Sequence, residues 1–367
     1  MAALTAAAPH VVLAFWGREP LARPPFLADL RRSVPDAVLL GCSSSGDIRA
    51  DGVHDASWVL TALRFEAGTT HVQLAETALG GLADSMAAGQ RLAHALPPAG
   101  LRAVLVLAPG VGIDGSALVE GLTARLPHGT LIAGGLASDN GHFETTHVLG
   151  PDGLGTDRVV VLGLYGPQLR LGASSRGGWK AFGPTRKVTR CQDSLLYTLD
   201  DQPALALYKK YLGEYARDLP AAGLLFPLEI LDSQGQSTGI LRTILGVDEQ
   251  HQSIQLAGSV NEGRYMRLMH ASPDALTAGA ERAAADSLAQ HGGRPALALC
   301  VSCVGRKLVM GARIDEEVLA VVDQLGDEVG VAGFYSNGEI GTLDGQAACK
   351  LHNQTMSIVL LSEDAAP

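Results

Sequence analysis

Val331-Ala332-Gly333-Phe334-Tyr335-Ser336-Asn337-Gly338-Glu339-Ile340 is nearly the same phrase as Leu39-Leu40-Gly41-Cys42-Ser43-Ser44-Ser45-Gly46-Asp47-Ile48. A third version, Ile132-Ala133-Gly134-Gly135-Leu136-Ala137-Ser138-Asp139-Asn140-Gly141, stands between them. Read from Gly41, Gly135 and Gly333, each has an apolar run, a Gly and a Ser three residues on (Ser44, Ser138, Ser336). Such repetition marks a chain built from related units, and the small residues open backbone toward a contact. Binding is the first function they suggest.

Working outward, the same element order surrounds each phrase. His10 to Trp16 and Ala37 to Gly41 read as strands around a helix at Phe26 to Arg32. Ser57 to Phe65 and Thr70 to Leu74 read as a hairpin across Glu66-Ala67-Gly68, and Leu82 to Leu96 as a closing helix. The order restarts with strand Ala103 to Leu107, helix Ser116 to Arg125 and strand Thr130 to Ala133, followed by strands Thr145 to Leu149 and Arg158 to Tyr165. It restarts again with strand Ala296 to Val301, helix Asp315 to Leu325, strand Gly330 to Gly333 and strand Met356 to Leu361. The middle is different, with strands Leu228 to Leu231, Ile240 to Leu245, Ser253 to Leu256 and Arg264 to Met269. A fourth phrase, Ala257-Gly258-Ser259-Val260-Asn261-Glu262-Gly263, lies among them. The expected fold is α/β (mixed α+β): repeated β-α-β-β-β units forming mixed sheets covered by helices. Two modules are expected, 1–170 and 171–367, divided near Gln168 to Gly178.

Length and composition agree with this. At 367 residues the chain exceeds one ordinary domain, and with 47% hydrophobic and 18% charged residues it has a large core to bury. Disorder is expected only in roughly the first eight and last five residues. A net charge of −10 argues against a nucleic-acid surface, and the cluster Arg186-Lys187 with Arg190 reads as a solvated strand edge. No run reaches the ~20 apolar residues of a membrane helix. The N-terminus lacks a basic stretch before its apolar one, which argues against a signal peptide. Five Cys without framework spacing fit a reducing compartment, so the chain reads as cytoplasmic.

Several segments carry candidate chemistry. Cys300-Val301-Ser302-Cys303 is a CxxC, but residues three apart on a strand face opposite sides, so two separate cysteines are expected, with Cys303 opening a loop. Arg306 has two readings: a clamp for a ligand carboxylate, or a surface Arg pairing Asp315 or Glu316. His352-Asn353-Gln354-Thr355 is a polar quartet running into an apolar strand, which either knits the sheet or lines a pocket. Trp179, set among glycines, suits a ligand wall. No P-loop and no GxSxG occurs, and no Ser of the phrases has an adjacent His, so nothing positive points to an enzyme.

Taken together, Gly134-Gly135-Leu136-Ala137-Ser138-Asp139, Pro203 to Gly213, Ser302-Cys303-Val304-Gly305-Arg306, Gly333 to Ile340 and Leu351 to Met356 resemble FIST proteins, in order, from about residue 30 to 362. The resemblance implies an N-terminal and a C-terminal FIST module and a cytoplasmic sensor of small ligands such as amino acids. Such a sensor signals through a separate partner protein, without nucleic-acid binding or membrane insertion. Some members, the NosP group, are haem-binding nitric-oxide sensors that work with histidine kinases or cyclic-di-GMP enzymes. Here haem b would be held non-covalently, since no CxxCH occurs. His352 is then the first choice for the iron and His270 the second. The residues expected to gather at a cleft are Gly41, Ser44, Gly135, Ser138, Asp139, Trp179, Cys303, Arg306, Tyr335, Ser336, Glu339 and Asn353. An enzyme would instead use Cys303 with His352.

Overall fold

The computed structural model describes residues 2–17, 25–66, 68–343 and 349–364. Unit one comprises α1 (Ala2–Ala7), β1 (Val11–Trp16), α2 (Pro25–Ser33), β2 (Val38–Ser43), β3 (Asp47–Arg49), β4 (Gly52–His54), β5 (Trp58–Leu63) and β6 (His71–Ala78). Unit two repeats the order with α3 (Ser85–Ala95), β7 (Leu101–Ala108), α4 (Gly115–Thr123), β8 (Leu131–Leu136), β9 (Val148–Gly150), β10 (Gly153–Gly155), β11 (Arg158–Tyr165) and β12 (Leu169–Arg176). A middle lobe follows: β13 (Lys180–Gln192), β14 (Leu195–Leu199), β15 (Gln202–Pro203), α5 (Ala204–Leu212), β16 (Leu228–Leu231), β17 (Ser237–Arg242), β18 (Ile244–Asp248), β19 (Ser253–Leu256) and β20 (Tyr265–His270). Unit three is α6 (Pro273–His291), β21 (Leu297–Cys303), α7 (Val304–Met310), α8 (Asp315–Leu325), β22 (Gly330–Ser336), β23 (Gly338–Gly341), β24 (Lys350–His352) and β25 (Met356–Glu363).

The three units share one register. In each, the first strand pairs the second in parallel across a helical crossover: Ala14 faces Gly41, Val106 faces Gly134 and Cys300 faces Gly333. The same three residues face Leu60, Val161 and Ile358 on an antiparallel neighbour. Alternation then separates two faces. Leu13, Leu105 and Leu299, with Phe15, Leu107 and Val301, meet in one buried central cluster. The opposite faces lie under helices, with Val12 against Leu30, Val106 near Leu118 and Leu122, and Cys300 near Ala280 and Val318. Burial on both faces explains why these strands are continuous apolar runs.

The units also exchange hairpins. After each phrase the chain crosses to a neighbouring unit, so β3 pairs β22, β9 pairs β2 and β23 pairs β8. The last strands cross as well: β6 lies on β11 and β12 on β25. Three sheets result, of five, six and six strands, and the middle lobe forms a fourth sheet of eight. No unit closes alone.

The structure corrects several expectations. β5 and β6 do not form a hairpin, because β6 has its hydrogen-bonding partner in the next unit's sheet. The start of the chain is not free coil: Ala2–Ala7 is helical, and Leu4 packs with Leu30. Residues after Cys303 form α7 rather than a loop. Within the phrases the equivalent glycines are Gly41, Gly134 and Gly333, so reading from Gly135 is one residue out. Proximity requires glycine at these points: an added Cβ would stand 1.9 Å from the Ala14 carbonyl oxygen, 1.9 Å from that of Val106 and 1.8 Å from that of Cys300. Gly41→Ala, Gly134→Ala and Gly333→Ala should each destabilise by about 2 kcal/mol or more, since backbone rather than a movable side chain must yield. Chemical denaturation of the three single variants checks this, and the three losses should be similar.

Candidate functional site

Beyond the ends of β2, β8 and β22 the three phrases close a ring. The Ser45 N–H donates to the Tyr335 carbonyl at 2.9 Å, the Ser138 N–H to that of Ser43 at 2.9 Å and the Asn337 N–H to that of Leu136 at 3.2 Å. Each donor stands four residues after its equivalent Gly, and each acceptor two. The side chains run one way round it. The Asn140 N–H donates to Ser45 Oγ at 2.8 Å. Ser138 spends its proton on Asn337 Oδ1 at 2.5 Å, so the Ser45 hydroxyl donates to Ser138. Asn337 Nδ2 then donates to the Gly110 carbonyl at 3.3 Å. All three side chains are buried.

Two carboxylates flank this ring at matching points of units one and three. Ser44 donates to Asp47 Oδ1 at 2.5 Å, and Ser336 donates to Glu339 Oε1 at 2.7 Å, both across three residues. Ser57 completes Asp47, while the Thr355 N–H and hydroxyl complete Glu339. Burial nonetheless raises both acids, Asp47 to about 6 and Glu339 to about 7, against the donors that favour the charged forms. Asp139 stands apart from this pair. Its carboxylate accepts the N–H groups of Phe143, Glu144 and Thr145 and shapes the loop before β9.

Arg306 is fully buried and held by protein. Its Nε and Nη2 donate to Glu317 Oε2 at 3.0 and 2.5 Å, Nη2 also to the Leu276 carbonyl at 2.9 Å, and Nη1 to that of Gly177. Glu317 Oε1 accepts from Ser302 at 3.0 Å and from the Tyr335 hydroxyl. The guanidinium therefore bonds neither Asp315 nor Glu316, nor Glu339, and serves as a tie between β21, β22, α6, α7 and α8.

The polar quartet knits. His352 Nε2 donates to the Gly341 carbonyl at 3.0 Å, and burial lowers the ring's pKa to about 4, so it is neutral. Gln354 Nε2 donates to Leu224 O at 2.9 Å and Thr243 Oγ1 at 3.1 Å, while Asn353 Oδ1 accepts the Thr243 N–H at 3.5 Å. Trp179 Nε1 donates to the Gln354 carbonyl at 2.9 Å. Cys303 is buried, and desolvation with nearby Glu339 pushes its thiol well up; no hydrogen bond joins it to His352. Haem does not fit at His352, whose Nε2 is committed to a carbonyl and whose ring is 1% exposed. His270 is exposed and meets the edge of Phe182. Among the described residues no His, Cys, Asp and Glu cluster is placed to hold a metal ion. So Gly41, Gly135, Ser44, Ser138, Tyr335, Ser336, Glu339 and Cys303 gather around the strand ends in a sealed arrangement rather than a cleft.

An open cleft lies elsewhere. It measures about 430 Å³ and runs between α4, the ends of β16 and β17, the fourth phrase and β24. Arg242 forms its wall and is 5% exposed. Its Nε donates to the Ser259 carbonyl at 3.1 Å, Nη1 to those of Leu241 and Leu351 at 3.1 and 3.3 Å, and Nη2 to Ser116 Oγ at 3.4 Å. All these acceptors are neutral; among the described residues no carboxylate lies within ion-pair distance of it. Burial lowers its pKa to about 10, with Asp114 opposing, so it stays charged at neutral pH. Gly258 makes room: its φ is +128° and an added Cβ would stand 2.8 Å from Arg242 Nε. Arg264 and Lys350 add two more cations to a wall with one acid, Glu120. Sequence reading missed Arg242, although a charge inside Ile240 to Leu245 was a visible anomaly. It also missed Ser45, Asp47, Glu317 and Asn337; all but Glu317 would have emerged from aligning the phrases on Gly134.

The FIST N domain matches residues 10–202 and the FIST C domain residues 204–342, so the chain belongs to the FIST family, whose domains serve sensory signal transduction. An uncharacterised protein of Mycobacterium tuberculosis is 28% identical over 352 residues, spanning 91% of this chain and 86% of that protein. One from Mycobacterium bovis is 30% identical over 258 residues, 67% of this chain and 64% of that protein. Among solved structures, cyanuric acid hydrolase from A. caulinodans aligns at 12% identity over 81% of this chain and 100% of that one, with a TM-score of 0.17, a likeness too slight to bear on fold or function. No described helix is long and apolar enough to cross a membrane.

The buried charges set two measurable behaviours. Because Asp47 and Glu339 titrate above the ordinary values of 3.8 and 4.5, the native chain keeps protons that the unfolded chain sheds. Their contribution to stability then falls as pH rises from about 3.8 to about 7 and levels off above. It is opposed by neutral His352, whose lowered pKa adds stability as pH rises from about 4 to about 6.5. Glu339→Gln should flatten this fall, seen as a melting temperature that gains on the wild type between pH 5 and pH 7.5; parallel curves would contradict it. Arg306→Ala should lower stability by about 3–5 kcal/mol in denaturant titration, because it strands buried Glu317 without its counter-ion.

Proposed function

We propose that the protein is a ligand-binding sensory protein whose ligand is a small, amino acid-like molecule carrying a carboxylate, bound in the cleft at Arg242. The observation that carries this reading is the guanidinium itself. A buried cation without a carboxylate is costly, and a ligand anion supplies the missing charge. Arg264 and Lys350, unpaired among the described residues, draw an anion inward on a chain whose net charge is −10. Ser116, Ser259 and Asn261 offer polar atoms for the rest of such a molecule.

The cleft also suits sensing. It is lined by α4 of unit two, by the middle lobe and by β24 of unit three, so a bound ligand touches each of them. Division into modules 1–170 and 171–367 falls within β12, the strand that passes from unit two to β25, whereas the family's two domains meet between residues 202 and 204. The response then passes to a separate partner protein. His352 Nδ1 has no partner among the described residues, but the ring is 1% exposed and leaves no room for a porphyrin beside it.

The test is a thermal-shift and calorimetric screen of amino acids and small carboxylates against the wild type and Arg242→Met. A bound ligand at a hundred times its Kd should stabilise the wild type by about 2.7 kcal/mol. Arg242→Met should lose that shift while still melting cooperatively without ligand, because the loss of an uncompensated charge offsets part of the cost of leaving the Ser259, Leu241 and Leu351 carbonyls without this donor. A ligand whose shift survives Arg242→Met would place binding elsewhere.

A further inference from the structure

We propose that the free edge of β5 is a docking site for an extended segment of a partner protein, added antiparallel as a sixth strand. The repeat defines the vacancy. β11 and β25 hold the place in units two and three that β5 holds in unit one, and each carries one more antiparallel strand, β6 and β12 respectively. Among the described residues β5 has only β1 beside it.

The backbone of β5 is prepared for such a strand. The His10 N–H donates to the Leu63 carbonyl and the Gly17 N–H to that of Ser57, which turns the odd-numbered residues toward β1. In an antiparallel strand N–H and C=O of one residue point the same way, so Leu60 and Ala62 aim theirs at the open side. Two cavities, about 450 and 730 Å³, lie along that side and share Thr61, Ala62, Leu297 and Gly330. Their far wall, at Leu297 and Gly330, leaves a slot suited to a single segment rather than to the sheet edge of a second copy.

The register specifies the occupant. Leu74 and Val72 of β6 stand opposite Leu162 and Leu164, and Ala173 and Leu171 of β12 opposite Val359 and Leu361. The matching residues of β5 are Thr61 and Leu63. Val72, Leu74 and Leu171 all pack on the central apolar cluster. A segment for β5 therefore carries apolar residues two apart, a branched one opposite Leu63 and an aliphatic one opposite Thr61. Main-chain pairing supplies affinity and these two side chains supply selectivity. This surface is separate from the Arg242 cleft, and either reading stands if the other fails.

The probe is a labelled peptide with the sequence of His71–Ala78, titrated against the full chain by fluorescence anisotropy. Binding is expected, weakened at least about tenfold when the peptide carries Val72→Asp and Leu74→Asp. In the protein, Ala62→Pro removes an outward N–H where an edge strand tolerates proline, so it should weaken binding by about tenfold or more and leave melting within a few degrees. Should that variant misfold, amide exchange in the wild type decides: peptide must slow the Leu60 and Ala62 N–H groups. Absent binding, binding unmoved by Ala62→Pro, or unchanged exchange at these two amides would overturn the proposal. So would a dimer that Ala62→Pro makes monomeric, because the edge would then belong to a second copy.

Discussion

Three backbone hydrogen bonds, from Ser45 to Tyr335, Ser138 to Ser43 and Asn337 to Leu136, hold the rest of the molecule in register. Each joins one unit to the next, and the third returns to the first. A strand that ends at the centre of a fold has N–H and C=O groups without a ladder partner, and burying them unpaired costs free energy. The three units solve this for one another. The same crossing sends each phrase into a neighbouring sheet, which is why β3, β9 and β23 are short and why no unit has a complete sheet without its neighbours.

Sealing the strand ends in this way changes what their polar residues do. In the directional chain from Asn140 through Ser45, Ser138 and Asn337 to Gly110 every side chain is already engaged by protein partners. Arg306 and Glu317 are likewise satisfied, with Tyr335, Ser302 and two carbonyls completing the pair. Buried polar groups arranged so completely specify a packing. Arg242 is the contrast: equally buried, bonded only to neutral oxygens, and facing a cleft.

Much of the fold was legible in the sequence because it rests on local pattern. Apolar runs of strand length, amphipathic crossovers and a repeated Gly phrase gave the three units and their mixed sheets. What misled was partner choice. Thr70 to Leu74 alternates as a hairpin arm would, yet Val72 and Leu74 pack on the central cluster from another unit's sheet, a choice made by long-range packing. The Gly134-Gly135 doublet hid the offset, since only contact with the Val106 carbonyl distinguishes the two. The site residues shared that fate. Arg306 follows a Gly after a strand, as ligand-binding residues do in open sheets, but Glu317 one helix later takes it inward. Conversely Arg242 looked like a strand residue, and its counter-ion deficit exists only in three dimensions.

Function is sought most profitably where the threefold repetition breaks. The three units closed in a ring pair their own strand ends. The departures from the repeat include the loop from Asn140 to His147 in unit two, the middle lobe before unit three, the extra helix α7 in unit three and, among the described residues, the single partner of β5. The middle lobe creates the Arg242 cleft by laying the fourth phrase against α4, and the edge of β5 leaves backbone unpaired among the described residues beside an apolar slot. These two places are also connected through the core. Leu351, whose carbonyl holds Arg242, lies on β24, β24 pairs β23, and β23 follows directly from β22, which borders the slot at Gly330. Contiguity of this kind puts the proposed ligand cleft and the proposed docking edge on one run of paired strands, whose register the central ring keeps fixed.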